Sequence, residues 1–240
     1  MNVSRITADA NLYRLRNNSY PGRGIVIGRN KTGKIIQVYW IMGRSGNSRK
    51  RIFESDAAGR VQTVPTNPAE VKNPELIIYS AMIERDGVFA VSNGSQTLNI
   101  IADGFSQAMI QYCYEPDSPN FTPRILAVTN LNLGYEHPNR MAIIRKSTDG
   151  ELVERFFYEL PDFPGYGHCI HTYECDGNPL PSFDRRPYLL PLDGSIEDIA
   201  NALWEALDED NRVSLVVKTI DDLKHCHSRL KIINKYRKVA

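Results

Sequence analysis

The sequence has 240 residues, 42% of them hydrophobic, and its 29 Lys and Arg residues nearly balance its 28 Asp and Glu residues. A chain of this length buries roughly 70–75% of the surface that its unfolded form exposes, so it can form a core without disulfides or structural metals. The formal net charge of +1 argues against a broad polyanion-binding surface, and therefore against a nucleic-acid partner. Any phosphate site must be local.

Cysteine usage and the first residues indicate the compartment. The chain begins Met1-Asn2-Val3-Ser4-Arg5, without the basic and then apolar segments of a signal peptide. No apolar run reaches the about 18 residues that a membrane span needs. We therefore expect a cytoplasmic protein with no membrane partner and with reduced thiols. The four unevenly spaced cysteines are Cys113, Cys169, Cys175 and Cys226. No linker-like segment divides the sequence, which favours one domain over residues 1–240.

The first half of the chain predicts two β-hairpins and a helix. Two β-rich runs at 24–29 and 34–42 flank a turn that ends in Gly33, and runs at 76–84 and 88–92 flank one that ends in Gly87. Apolar residues then recur at spacings of three and four, which predicts one helix over 98–114 before Pro116. The residues on its predicted apolar face are Leu98, Ile101, Phe105, Ala108, Met109 and Tyr112.

The second half predicts further strands and a second helix. Runs at 140–147 and 151–159 flank a turn that ends in Gly150, and Ser195 with Asp198 forms a short capping box before an apolar stripe. The tail, 225–240, is a short helix or a strand. The other predicted strands cover 124–130, 167–175, 188–192 and 213–220. Many antiparallel strands with few helices are typical of an α+β fold in which helices cover the sheet faces.

Two segments rich in glycine and arginine adjoin the first hairpin. Arg23 lies just before its first strand, and Arg44 follows its second. Because a hairpin brings the start of one strand beside the end of its partner, both arginines should lie on one rim, where they could bind phosphate or carbonyl oxygens. The alternative is a pair of solvated turn arginines.

Two further segments carry candidate chemistry at the ends of the predicted helix. The run 93–97 precedes it, where unpaired N–H groups could hold a phosphate or an oxyanion; a simple capped turn is the alternative. Glu115 follows the helix, and a carboxylate in a dehydrated cleft can act as a general acid or base. A solvated glutamate opposed by the helix dipole is the other interpretation.

Several common chemistries find no support in the sequence. His168 and His171 face opposite sides of a strand, and neither they nor the later segment 225–227 have the spacing of a zinc site. Buried thiols and a half-exposed strand histidine are the preferred interpretation. Asn2 is no N-terminal nucleophile, and there is no Walker-type loop or dinucleotide fingerprint. We therefore expect no metal and no cofactor.

Short motifs in a fixed order connect these segments to a known family. They are Tyr20-Pro-Gly-Arg-Gly, Gly43-Arg-Ser, Lys72-Asn-Pro-Glu, Ile78-Tyr79, Asn93-Gly-Ser-Gln-Thr, Tyr114-Glu115, Thr122-Pro-Arg-Ile and Pro179-Leu-Pro-Ser-Phe183. This ordered set, over roughly residues 20 to 185, resembles the archaeal-type IMP cyclohydrolases and their bacterial relatives.

The resemblance implies an N-terminal-nucleophile-hydrolase-like fold, a four-layer αββα sandwich of antiparallel sheets, here without an N-terminal nucleophile. It also implies reversible closure of a formamido-imidazole-carboxamide ribonucleotide to IMP, without cofactor, by an enzyme that could be a homo-oligomer. The reaction-centre residues carried over by motif are Arg44, Tyr79, Asn93 and Glu115, with Glu115 transferring the proton and Tyr79 as its partner. Those assigned to substrate and phosphate are Arg23, Ser45, Gly94, Ser95, Thr122 and Arg124. The alternatives are a related amidohydrolase acting on another purine-like nucleotide and a non-catalytic nucleotide-binding module.

Overall fold

The computed structural model describes residues 3–70, 78–133, 138–222 and 227–238, which form an α+β fold. The strands are β1 Gly24–Arg29, β2 Ile35–Met42, β3 Arg51–Ser55, β4 Val61–Pro65, β5 Ser80–Arg85, β6 Val88–Ser92, β7 Arg124–Asn130, β8 Asn139–Lys146, β9 Val153–Leu160, β10 Tyr166–His171, β11 Tyr188–Pro191, β12 Arg212–Asp222 and β13 His227–Asn234. The helices are α1 Val3–Arg16, α2 Gly46–Arg49, α3 Gln96–Asp103, α4 Phe105–Gln111 and α5 Ile196–Ala206. Short 3-10 turns occupy Pro68–Glu70 and Leu131–Leu133.

The strands of the described residues form two antiparallel sheets. The first has the order β11-β10-β1-β2-β12-β13, and the second runs in chain order from β3 to β9. Hairpin-type turns join β3 to β4, β5 to β6 and β8 to β9, whereas the connection from β6 to β7 contains α3 and α4. The first sheet instead gathers strands from the beginning, middle and end of the chain, so distant parts of the sequence meet in its interior, where β1 pairs with β10 and β2 with β12.

Alternation along the strands divides the core into layers. Ile25 and Tyr39 face the second sheet, where they pack with residues such as Ile143. Their neighbours Val26 and Trp40 face the other way. Helix α5 packs on that outer face of the first sheet, and α1 lies against β11. Helices α3 and α4 cover the outer face of the second sheet. Central strands buried on both faces explain continuous apolar runs such as β2.

The structure confirms most predicted strands. The first hairpin joins β1 and β2, the second β5 and β6, and the third β8 and β9. Residues 76–77 of the second predicted hairpin lie outside the described residues. The predicted strands at 124–130, 167–175, 188–192 and 213–220 correspond to β7, β10, β11 and β12, and the tail forms β13. Ser195 caps α5 through the reciprocal bonds of a capping box with Asp198.

The single helix predicted over 98–114 is wrong. It is broken at Gly104, whose φ of 90° and ψ of 161° are not helical, into α3 and α4. The apolar spacing survives the break because Phe105 and Met109 still pack on the second sheet. Leu98 is 51% exposed, so the predicted apolar stripe includes one residue that does not reach the core.

Sequence reasoning missed α1, α2, β3 and β4. Helix α1 has little apolar character, and it is held by contacts between distant residues, such as Asn11 Nδ2 donating to the Leu189 carbonyl at 2.9 Å. The one-turn α2 is capped by Ser45, which accepts from the Ser48 N–H at 3.2 Å. None of the helices in the described ranges has the length and apolar character to cross a membrane.

Candidate active site

A cavity of about 490 Å³ opens where the ends of β1 and β2 meet the loop before β7. Four residues selected from the sequence line it: Arg23, Arg44, Ser45 and Thr122. They converge because β1 and β2 are paired, with Gly24 opposite Trp40, so the two glycine- and arginine-rich segments share one rim. Its size lies in the range of small-molecule sites.

Besides Arg44, two further guanidinium groups line this cavity. Arg51, at the start of β3, is 3% exposed, and it lines the cavity together with Arg23. Among the described residues, the buried Nε atom of each has no hydrogen-bond acceptor. Burial, and then the charge of Arg23, lower the pKa of Arg51. Two neighbouring buried cations are unfavourable unless an anion joins them, so this cavity is arranged to receive negative charge.

Arg51 was not selected from the sequence. It belongs to the basic run 49–51, which looks in the sequence like a continuation of the rim loop. The available signal was the apolar pair Ile52 and Phe53 directly after it, which marks the start of a buried strand.

Tyrosine hydroxyls surround the inner arginine. Arg23 interacts electrostatically with Tyr79, Tyr39 and Tyr173, and more weakly with Glu115. The Tyr39 and Tyr79 hydroxyl oxygens are 2.7 Å apart and hydrogen bonded. Burial, and then Tyr79, raise the pKa of Tyr39 well above its ordinary value. Burial likewise raises the pKa of Tyr173 to about 12. The hydrogen bond of Tyr79 therefore goes to Tyr39, and not to Glu115 as expected.

Glu115 is a buried, ion-paired carboxylate. It is 7% exposed, and its oxygens lie 2.9 and 3.2 Å from the Nη1 and Nη2 atoms of Arg124. Its backbone N–H donates to the Thr122 carbonyl at 2.8 Å. Helix α4 ends at Gln111, so Glu115 lies beyond the helix end. The alternative of a solvated glutamate at a helix terminus is therefore wrong.

Arg124 holds Glu115 in place and does not line the cavity. Its Nε donates to the Cys113 carbonyl and its Nη1 to Gln96 Oε1, both at 2.8 Å. Its guanidinium lies 5.1 Å from the centre of the Tyr112 ring. Each nitrogen thus has a protein acceptor, which leaves Arg124 less available to a phosphate than the arginines of the cavity.

Asn93 is 1% exposed and shapes the same network. Its Oδ1 accepts from the Ile125 N–H at 2.9 Å and from Gln96 Nε2 at 3.0 Å, and its Nδ2 donates to the Pro123 carbonyl at 2.8 Å. These bonds fix the loop before α3 against the start of β7. Gly94 must lack a side chain, since a Cβ would lie 2.5 Å from Arg124 Nη1.

The remaining selected residues differ in their exposure. Ser95 is exposed and precedes α3 without a side-chain cap bond. Arg44 donates to the Gly177 carbonyl at 2.8 Å, pairs with Asp176 and lies 5.0 Å from the Tyr20 ring centre. Thr122 is buried, and its hydroxyl is hydrogen bonded to Tyr173 and Asp117. Arg44 thus forms the outer rim of the cavity, and Thr122 its inner wall.

The histidine and cysteine segment is structural in its described part. His171 Nδ1 is 2.7 Å from the Tyr173 carbonyl oxygen, and burial lowers the pKa of His171 to about 4. Burial raises the pKa of Cys169 to about 12. Cys113 and Cys175 are exposed, so the expectation of buried thiols holds only for Cys169. His225 and Cys226, from the segment 225–227, lie outside the described residues. Within the described ranges, no group of three His, Cys, Asp or Glu side chains is arranged to hold a metal ion.

The two antiparallel sheets and the arginine-lined cavity define an α+β protein with a small-molecule site. The family model described as "IMP cyclohydrolase-like protein" matches residues 20–224, and the chain belongs to this family. It is 27% identical over 166 residues to an IMP cyclohydrolase of Methanococcus aeolicus, covering 65% of this chain and 75% of that protein. It is 30% identical over 184 residues to that of Methanopyrus kandleri, covering 69% and 89%. The family match begins after α1.

Proposed function

We propose that the chain is a cytoplasmic IMP cyclohydrolase. It would close the formamido-imidazole-carboxamide ribonucleotide to IMP with loss of water, and catalyse the reverse ring opening. The observation that carries this proposal is the cavity that Arg23 and Arg51 both line, in which the buried Nε atom of each has no hydrogen-bond acceptor among the described residues. A ribonucleotide 5′-phosphate and an oxygen that gains charge during ring closure both suit such a site.

We also propose the finer fold: a single four-layer αββα domain of the N-terminal-nucleophile-hydrolase type. The support is that α5 packs on the outer face of the first sheet and α3 and α4 on that of the second, with apolar side chains between the two sheets. The proposed chemistry needs no N-terminal nucleophile, because the attacking group belongs to the substrate.

The reaction divides into three tasks: stabilising the negative formyl oxygen, transferring protons and binding the phosphate. We assign them to residues that line the cavity and to the buried Tyr79 and Glu115. The carboxamide nitrogen attacks the formyl carbon, and the formyl oxygen gains negative charge as the new C–N bond forms. In our assignment Arg23 and Arg51 stabilise that oxygen, because preorganised cations in a dehydrated site act most strongly where charge develops. We assign Tyr79, whose hydroxyl is hydrogen bonded to that of Tyr39, to donate a hydrogen bond to the same oxygen.

Proton transfer is assigned to Glu115, which lies close enough to Arg23 to interact with it electrostatically. It would take a proton from the attacking carboxamide nitrogen and pass it to the oxyanion, which becomes a hydroxyl. The formamido N–H then supplies the second proton as the C=N bond of the purine forms, so the hydroxyl leaves as water and the proton count balances. Arg124 and Asn93 position Glu115. Arg44 and Ser45, on the rim, are assigned to the 5′-phosphate, with Thr122 on the inner wall beside the substrate. Gly94 and Ser95 are assigned to substrate binding, as part of the loop that borders the substrate.

The test is an ultraviolet assay, because ring closure changes the absorbance of the purine. Purified protein is incubated with the formamido substrate, and separately with IMP, in the presence of EDTA. We expect turnover without metal or cofactor. IMP binding seen as a thermal shift without turnover would indicate a nucleotide-binding module instead. Turnover of another purine-like nucleotide, but not of these two, would indicate a related amidohydrolase.

A further inference from the structure

Strand β9 is an edge strand with an unusual surface. It pairs with β8 on one side, and no strand of the described residues pairs with its other edge. It is eight residues long, and Phe156 and Phe157 near its middle are 36% and 43% exposed. A long edge that exposes aromatic side chains favours pairing with another strand. The side chains on its two faces determine which strand can pair with it.

The two faces of β9 have different neighbours. Phe157 is paired with Ala142 and contacts Phe105 of α4, with ring centres 5.9 Å apart, so it lies on the helix-covered face. Arg155 and Glu159 lie on this face as well, since they are two residues away in either direction. Phe156 and Tyr158 lie on the opposite face, which looks toward the first sheet.

The two charged side chains on the helix-covered face, Arg155 and Glu159, have different partners among the described residues of one copy. Arg155 donates to the Met109 carbonyl at 2.9 Å and to the Tyr112 carbonyl at 3.0 Å, but to no carboxylate. Glu159 pairs with Arg140 at 3.1 Å while its side chain stays 50% exposed. A positive and a negative group thus flank Phe157 symmetrically on the open edge.

A second copy of the strand fits this edge in one register. When two identical edges pair antiparallel about a two-fold axis perpendicular to the sheet, residues opposite each other must face the same side. With the axis at Phe157, Arg155 of each copy lies opposite Glu159 of the other. An axis at Arg155 would place two like charges together, and an axis at Phe156 or Tyr158 leaves both charges without a charged partner.

We propose that β9 forms a homodimer interface by antiparallel pairing with β9 of a second copy, centred on Phe157. The second sheets of the two copies then form one continuous sheet. Each dimer gains two Arg155–Glu159 cross-strand pairs, a Phe157–Phe157 pair and two Phe156–Tyr158 pairs on the other face. Cross-strand aromatic pairs and opposite charges are the contacts that stabilise antiparallel sheets.

The test uses charge reversal and light scattering after size exclusion. The wild-type chain is expected to be a dimer, whereas Arg155→Glu and Glu159→Arg should each be monomers, because each places like charges opposite one another. An equimolar mixture of the two variants should form heterodimers, since one copy then presents two glutamates to two arginines. Glu151→Arg, in the exposed turn before β9, is the matched control and should remain a dimer.

A second measurement fixes the register. Phe157→Cys should form an intermolecular disulfide under mild oxidation, above the background of the native cysteines, because residue 157 lies opposite residue 157 of the second copy. Arg155→Cys should not. Circular dichroism and thermal melting verify that each variant is folded. A monomeric wild-type chain, folded variants that both remain dimers, or a mixture that stays monomeric would overturn the proposal.

Discussion

Arg51 and Arg44 lie at the two ends of the loop that contains α2, and burial gives them different roles. Arg44 is partly exposed and pairs with Asp176, so its charge is already neutralised. Arg51 is buried beside Arg23 with an unpaired Nε. An incoming anion therefore gains more from Arg51 than from Arg44, because a buried charge interacts through a lower dielectric.

Replacing Arg51 tests this difference. Arg51→Met keeps the length of the side chain and removes one of two neighbouring cations. Because Arg51 is assigned to the formyl oxygen, which gains its charge during ring closure, we expect kcat to fall by the equivalent of about 2–3 kcal/mol with little change in KM. The free protein should be no less stable, since a buried repulsion is removed. Steady-state kinetics and thermal melting measure both effects.

The control for Arg51 is Arg49→Met. Arg49 donates to the Gly43 carbonyl and does not line the cavity. Arg49→Met should leave kcat and KM close to the wild-type values. An unchanged kcat in Arg51→Met would show that the developing negative charge is stabilised elsewhere.

Glu115 is the residue on which our assignment of proton transfer rests. Glu115→Gln keeps the shape and removes the titratable group, so kcat should fall about 10²–10⁴-fold with little change in KM. Tyr79→Phe should affect the same step. Because residues that act as a unit are not additive, the double variant should be little worse than the poorer single variant.

A structural role for Glu115 makes a different prediction. In that case Glu115→Gln would mainly weaken the pairing with Arg124, so the melting temperature would fall and kcat would stay near the wild-type value. Measuring kcat, KM and melting temperature on the same preparation separates the two roles.

At the scale of elements, the break between α3 and α4 depends on one backbone conformation. Gly104 combines a positive φ with an extended ψ, a region that residues with a Cβ avoid. The break lets Ile100 and Phe105 both pack on the second sheet, although the chain changes direction between them.

Gly104→Ala should destabilise the fold by about 1–3 kcal/mol through backbone strain alone. A Cβ at Gly104 would meet no atom within 4 Å, so a steric clash would not contribute. Gly46→Ala is the control, because a Cβ there also meets open space and its φ is not positive. Urea unfolding of both variants measures the difference, and equal stabilities would show that the strain argument fails.

At the scale of the whole molecule, one buried ion pair crosses between the sheets. Lys218 on β12 pairs with Glu84 on β5, and its side chain is 1% exposed. Lys218 Nζ also donates to the Gly59 carbonyl at 2.9 Å, while Glu84 accepts from the Ser228 hydroxyl. Burial lowers the pKa of Lys218, and the carboxylate of Glu84 opposes this change. The pair fixes how the two sheets are aligned at this end.

Lys218→Met should destabilise the protein by about 3–5 kcal/mol, because the partly buried Glu84 loses its cation. The double variant Lys218→Met with Glu84→Gln should recover a large part of this loss, since no uncompensated charge remains. Lys238→Met, which removes an exposed pair with Glu54, should cost less than about 1 kcal/mol. Urea unfolding measures all three, and additive effects at Lys218 and Glu84 would contradict the coupling.

The amino-acid sequence by itself determined three hairpins, most of the other strands and the family. Alternating apolar residues and turn glycines are local signals, so β1, β2 and β7 could be located from residues that are neighbours in the chain. The ordered motifs identified the family, and they located Arg23 and Thr122, which do line the cavity.

Only the tertiary structure decided which charged groups are buried and what they contact. Arg51 lines the cavity because β3 starts beside the end of β2, and Arg124 lies outside the cavity, where Glu115 and Gln96 accept from its nitrogens. The polar helix α1 forms against β11, a strand from the far half of the chain. Burial and pairing arise from contacts between residues distant in sequence, and local periodicity carries no information about such contacts.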